Sequence, residues 1–189
     1  SALVALADAV AALRSGDVEL ALAGGAYLQV TPDHYIAFSR IGAMSREGRC
    51  LPFDTRADGF LQGDGGGIIV LKRLEDAQRD GDRIYAVIDG IALNNDGGGD
   101  GPMAPVKSGQ VEVIDRAWND ARRTATDLGY VEAHGTGTSV GDVIEFQGLV
   151  DRLGQEVRDA AIGSAKANIG HTMSAAGAAG LIRAVLAVH

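Results

Sequence analysis

The sequence predicts an α/β fold built in layers, and three observations predict it. Short apolar or β-branched runs alternate with helical patterns along the chain. Two alanine-rich helices, at residues 2–14 and 175–188, carry apolar residues around much of their circumference, the pattern of helices packed deep in a core. Glycine accounts for 27 of 189 residues, about twice the usual ~7%, which suits backbone that passes close to backbone or to a ligand.

Each element has its own local signal. Residues 2–14 form the first helix, stopped by Ser15-Gly16. Val18–Ala23 reads as a buried strand closed by Gly24-Gly25. Pro32–Arg40 reads as a helix with Thr31 as cap. Met44 to Gly66 is a turn-rich loop, and Gly67–Leu74 is a strand followed by a short polar helix at 75–80. After the Gly81-Asp82 turn, Ile84–Leu93 is a further strand. Asn94–Gly101 is a loop, and Ser108–Arg123 an amphipathic helix around Val111, Ile114 and Trp118. Gly129–Ala133 is a strand, Val140–Leu153 a helix and Ala160–Ser164 a buried strand. The two alanine-rich helices suit equivalent positions of a duplicated fold.

Composition removes several classes of function. A net charge of −8 disfavours a nucleic-acid partner. One cysteine excludes a disulfide framework and a cysteine zinc cage. Aromatics at 5% argue against a stacking platform. There is no uncharged apolar run of ~18 residues and no basic leader, so a membrane partner is not expected and the location is read as cytoplasmic. The chain opens at Ser1 within one helical pattern and stops at His189 within another, and reads as a segment of something longer.

Two segments carry the chemistry. In Val131-Glu132-Ala133-His134-Gly135-Thr136-Gly137-Thr138 a strand ends in a histidine, followed by glycines and threonine hydroxyls. Ligand sites of open α/β sheets lie beyond the carboxyl ends of strands. Taken alone, His134 is as readily a core histidine in a glycine turn. In Gly163-Ser164-Ala165-Lys166-Ala167-Asn168-Ile169-Gly170-His171 a second buried strand runs into a polar loop and a second histidine. Lys166 alone reads as a solvated charge and Asn168 as a turn former. Together the two segments form a convergent site.

Other chemistries lack their parts. The two histidines stand 37 residues apart with no third ligand at a metal spacing, and HExxH is absent, so no metal is expected. Gly-x-Ser-x-Gly is absent too. Gly63-Asp64-Gly65-Gly66-Gly67 fits neither a dinucleotide fingerprint nor a phosphate loop. Asn94–Gly101 has the composition of a calcium loop without the terminal glutamate of an EF-hand. Cys50, beside Arg46 and Arg49, is read as a buried bystander, not a nucleophile.

These residues resemble the β-ketoacyl synthases, in particular the ketosynthase domains of type I polyketide synthases. The resemblance spans nearly the whole chain: Ser1-Ala2-Leu3-Val4-Ala5-Leu6, Leu22-Ala23-Gly24-Gly25-Ala26, Gly48-Arg49-Cys50-Leu51-Pro52-Phe53-Asp54, Ala57-Asp58-Gly59-Phe60, and the two histidine segments. It implies a thiolase-like layered αβαβα fold, present here as a partial segment. Residues 1–189 are then the central part of one ketosynthase domain. They begin just after the expected nucleophilic cysteine, about two residues before Ser1, and end before the C-terminal part with its Gly-Phe-Gly-Gly loop.

The resemblance implies a decarboxylative Claisen condensation between a malonyl-type extender and a cysteine-bound acyl chain, in polyketide or fatty acid biosynthesis. It gives His134 and His171 the role of enolate stabilisers and Lys166 the support of the His171 loop. Thr136, Thr138 and Asn168 become substrate-binding residues along the pantetheine channel. No cofactor is expected to bind directly; the phosphopantetheine arm of an acyl carrier protein carries the substrate. Implied partners are that carrier protein, a second copy of the domain in a homodimer, and neighbouring synthase domains. The isolated segment is expected to be inactive and poorly folded. Asp64 replaces the usual glutamate of Gly-Glu-Gly, and Gly180 leans toward type I polyketide enzymes. The Tyr27–His34 run and Asp100-Gly101-Pro102-Met103 are similar to iterative enediyne and polyunsaturated-fatty-acid synthases. The alternative is a non-condensing relative, either a decarboxylase-only ketosynthase or a chain-length-factor-like protein. A thiolase is disfavoured by the two histidines.

Overall fold

The computed structural model describes residues 1–97, 104–154, 157 and 159–189. Its helices are α1 (Ala2–Ser15), α2 (Asp33–Arg40), α3 (Leu74–Asp80), α4 (Lys107–Ala121), α5 (Gly141–Leu153), α6 (Lys166–Ile169) and α7 (Ala176–Val188). Its strands are β1 (Leu20–Tyr27), β2 (Gly65–Lys72), β3 (Tyr130–Glu132) and β4 (Ala161–Gly163).

β1 and β2 pair antiparallel, with Leu20 opposite Lys72 and Tyr27 opposite Gly65. Side chains alternate between the two faces of this ribbon. On the inner face glycine lets the helices approach: Gly25 lies against Ala2 and Ala175, and Gly67 against Ile182 and Ala178. The outer face carries Leu20, Leu22, Ile68 and Val70, all exposed. β3 and β4 pair parallel, Tyr130 with Ala161 and Glu132 with Gly163. α7 touches β1, β2, β3 and α1, so a helical layer separates the two sheets. Sheet, helix and sheet in that order are three of the layers the fold class requires.

Gly24-Gly25 does not close β1, as the sequence suggested; the strand runs on to Tyr27. A Cβ on Gly24 would stand 2.0 Å from the Gly67 carbonyl oxygen, so glycine serves close strand approach here and not a turn. β2 likewise starts at Gly65, two residues before the expected position. The expected strand Ile84–Leu93 has no ladder partner among the described residues. Its backbone is held by α4 instead: Ile91 N–H donates to Asp120 at 2.8 Å and Arg116 donates to the Leu93 carbonyl. Its apolar side chains Ile84, Tyr85, Val87 and Leu93 are exposed. Thr31 does not cap α2; Pro32 holds that position, and the Thr31 hydroxyl donates to Asp33.

The alanine-rich helices are less buried than their composition suggested. α1 buries Ala2, Leu6, Val10 and Leu13 and exposes Leu3 and Val4; α7 buries only Ala178 and exposes Leu186 and Val188. Each packs along one face, and no described element covers the other. Residues 98–101 of the Asn94–Gly101 loop, and the Asp100–Met103 motif, lie outside the described residues. The described part of that loop bonds to itself and to α4: Asn94 donates to the Gly109 carbonyl, and Asn95 accepts from Gly97 N–H. No helix among the described residues is long and apolar enough to cross a membrane.

Candidate active site

Because β3 and β4 are parallel, their carboxyl ends lie side by side and their following loops leave in one direction. His134 follows β3 by two residues, and α6 with Gly170 leads from β4 to His171. The two imidazoles meet edge to face with ring centroids 5.6 Å apart.

The His134 loop is held by side chains. Glu145, in the first half of α5, accepts from His134 N–H at 2.6 Å and from Gly135 N–H at 2.8 Å. Lys166 donates from Nζ to the His134 carbonyl at 2.6 Å, and Ser164 Oγ donates to the same oxygen. Asp142 accepts from Gly137 N–H and, at 2.7 Å, from Phe53 N–H. That second bond helps hold Phe53 at φ 61°, a region disfavoured for a residue with a bulky side chain. Cys50 is buried and donates its thiol to the Thr136 carbonyl at 3.3 Å. Thr136 is buried and its hydroxyl lies 3.0 Å from that of Thr138.

The His171 loop is held by main chain. His171 N–H donates to the Leu61 carbonyl at 2.7 Å, and its carbonyl accepts from Gly63 N–H at 3.1 Å. A Cβ on Gly63 would fall 2.0 Å from the Ile169 carbonyl oxygen, so no other residue fits there. Met173 N–H donates to His171 Nδ1 at 3.1 Å, which places the proton of the neutral ring on Nε2. At the base of this loop Glu132 accepts from Ala165 N–H and pairs with Arg183.

Electrostatics keep both rings neutral. The protein packed around His134 disfavours charge there even though the residue keeps one exposed side, and with the nearby Lys166 cation this pushes its pKa down to about 4. His171 is likewise pushed down to about 4, by burial first and then by Lys166 and His134. Burial also lowers Lys166, against the opposing pull of Glu145, Cys50, Glu132 and Asp142. Glu145 is raised by its burial, and Cys50 is pushed up to about 11 by desolvation and by Asp142. Two neutral imidazoles thus lie side by side at ordinary pH.

His134, His171 and Lys166 therefore come together, while the Thr136 and Thr138 hydroxyls pair with each other beside Gly141 at the start of α5. Asn168 does not join them: it lies on the exposed side of α6, and its side chain makes no hydrogen bond among the described residues. Sequence reasoning missed Glu145, Asp142 and Glu132. Acidic residues in the opening turns of α5, a few positions past a glycine-rich loop, were the available signal for the first two. Among the described residues no three His, Cys, Asp or Glu side chains are grouped to hold a metal ion.

The layered α/β fold is shared with solved ketosynthase domains, which places the chain in the thiolase-like class. Residues 1–77 match the family model for the β-ketoacyl synthase N-terminal domain, and residues 85–189 match that for the C-terminal domain. The chain belongs to the β-ketoacyl synthase family. It is 49% identical over 191 residues to a phenolphthiocerol/phthiocerol polyketide synthase protein of Mycobacterium tuberculosis (strain CDC 1551 / Oshkosh), all of this chain aligning to 10% of that protein. Another protein of the phenolphthiocerol/phthiocerol polyketide synthase, in strain ATCC 25618 / H37Rv, is 48% identical over 193 residues, again across the whole chain and 9% of the relative. Among solved structures, the ketosynthase from module 6 of the bacillaene synthase of Bacillus subtilis 168 superposes with a TM-score of 0.95 at 40% identity, covering 98% of this chain and 34% of that one. The oxazolomycin ketosynthase domain of Streptomyces albus JA3453 gives 0.92 at 41% identity, covering 98% and 33%. The chain thus spans about a third of the solved ketosynthase chains and about a tenth of the curated synthases.

Proposed function

We propose that this chain supplies the enolate-stabilising half of a ketosynthase active site that carries out decarboxylative Claisen condensation in polyketide assembly. The observation that carries this reading is the pair of neutral imidazoles, 5.6 Å apart, at the ends of two parallel strands. An acyl chain sits as a thioester on a cysteine expected about two residues before Ser1. The malonyl-type extender arrives on the phosphopantetheine arm of an acyl carrier protein, past Thr136 and Thr138, with Asn168 at the outer edge. Its carboxylate leaves as CO2, and the electrons of the broken C–C bond pass to the thioester oxygen as an enolate. His134 and His171 donate N–H bonds to that oxygen. The enolate carbon then attacks the acyl thioester, and the cysteine departs as thiolate.

A charged imidazolium would give up its proton to the enolate and quench the carbanion, so the low basicity of both rings favours condensation. Lys166 positions the His134 turn, and its charge adds to the burial that keeps both rings neutral. A homodimer, neighbouring synthase domains, a cytoplasmic setting and inactivity of the isolated 189 residues complete the proposal.

The test uses the complete domain. His171→Ala is expected to abolish CO2 release from malonyl carrier protein, by roughly a hundredfold or more for one lost preorganised donor, while sparing acyl loading of the cysteine. Undiminished CO2 release in that variant overturns the assignment.

A further inference from the structure

A series of ring contacts leads away from the two histidines. His171 meets Phe60 at 5.3 Å between centroids, Phe60 meets Phe38 at 5.3 Å, Phe38 meets His34 at 6.4 Å, and His34 stacks on Tyr27 at 5.9 Å. Phe60 is buried, Phe38 is half-buried and His34 is exposed, so the series climbs from core to surface. Phe60 and Phe38 have no hydrogen-bonding groups, so they offer an acyl chain an apolar flank that strands no polar atom. The outer end of the series is polar.

The hydrogen bonds there fix which groups remain free. The Gln29 amide nitrogen donates to the Thr31 carbonyl, which turns its oxygen toward Tyr27. That oxygen can only accept, so the single Tyr27 hydroxyl proton goes to it. The Tyr27 oxygen, 2.7 Å from His34 Nδ1, must then accept from an Nδ1–H. His34 Nε2 is left as a bare acceptor, with no partner among the described residues. Gln29 N–H donates to Asp64 at 2.6 Å and ties the cluster to the segment entering β2.

We propose that the His34–Tyr27 pair is a specificity-determining site that recognises a hydroxyl group borne on the acyl chain, a proposal that rests on the condensing function above. A hydroxyl donates to His34 Nε2; a ketone at the same carbon offers only an acceptor and a saturated carbon offers nothing. The pair therefore favours hydroxylated chains over saturated or keto chains of equal length.

The experiment loads the complete domain with competing acyl-pantetheine thioesters of equal length, one saturated and one with a hydroxyl walked from carbon to carbon. Intact-protein mass spectrometry reads the ratio of the two adducts. At one hydroxyl position the wild type is expected to prefer the alcohol by about tenfold, the scale of one well-placed hydrogen bond. His34→Phe keeps a ring but removes the acceptor, and the ratio falls toward one. Tyr27→Phe frees His34 to carry its proton on Nε2, and the preference moves from the alcohol toward the ketone. A wild-type ratio near one at every position, or a ratio that His34→Phe leaves intact, overturns the proposal. A wild-type domain that loads no acyl chain of any kind overturns the condensing reading itself, and is thereby told apart from failure of this one.

Discussion

The two loops that present the histidines are built by opposite means. His134 is fixed from outside by ionisable side chains: Glu145 holds its N–H, Lys166 its carbonyl, and Asp142 the turn beyond. His171 is fixed by backbone, bridged on both sides to the segment Leu61–Gly63. A side-chain clamp can be loosened by one substitution or by a change of charge. A main-chain bridge yields only to a change that pushes the segments apart.

That contrast can be broken at the backbone side first. Gly63→Ala forces a Cβ onto the Ile169 carbonyl, and CO2 release by the complete domain is expected to fall at least a hundredfold, with loss of the cooperative urea transition if the segments part. On the side-chain side, Lys166→Met removes a charged donor from the His134 carbonyl and should slow decarboxylation by about tenfold or more. It also removes a cation that lowers both imidazoles, so the acid limb of the pH–rate profile should move upward. No such movement in the variant would separate Lys166 from the electrostatics of the site.

Glu145→Gln retains one accepting oxygen for two N–H donors, and urea denaturation should show a stability loss of about 1–3 kcal/mol with a few-fold loss of rate. The smallest effect is that of pH on the wild type. The neutral ring is the working form and both pKa values lie at about 4. Decarboxylation should therefore hold level from neutrality to about pH 5 and fall below that, instead of halving near the ordinary histidine value of about 6.5. Stability has the matching sign. The unfolded chain takes up these protons first, so stability declines as pH drops from about 6.5 towards 4.

The sequence showed the two histidines and the lysine because strand-end polar residues beside glycine are a local pattern. It did not show the clamp. Glu145 lies 11 residues past His134 on a helix whose exposed Val143, Phe146 and Val150 dominate its pattern, and its partners are backbone groups that leave no mark in composition. Gly24-Gly25 misled for a related reason: as local signals they mean a turn, and only the opposite strand reveals that they are spacers. At Ile84–Leu93 the apolar run read as a strand, yet Ile84, Tyr85, Val87 and Leu93 are exposed and the backbone is bonded to α4 side chains instead. Asn168 was grouped with the site through its neighbours, yet one turn of α6 is enough to carry it to the outside.

Cys50, the sole sulfhydryl of these 189 residues, is buried, engaged with the Thr136 carbonyl and pushed up to about 11. At neutral pH it is therefore silent toward alkylating reagents. Iodoacetamide applied to an intact synthase will bypass it, so any label the folded enzyme acquires marks a cysteine elsewhere and can serve to count acylatable sites.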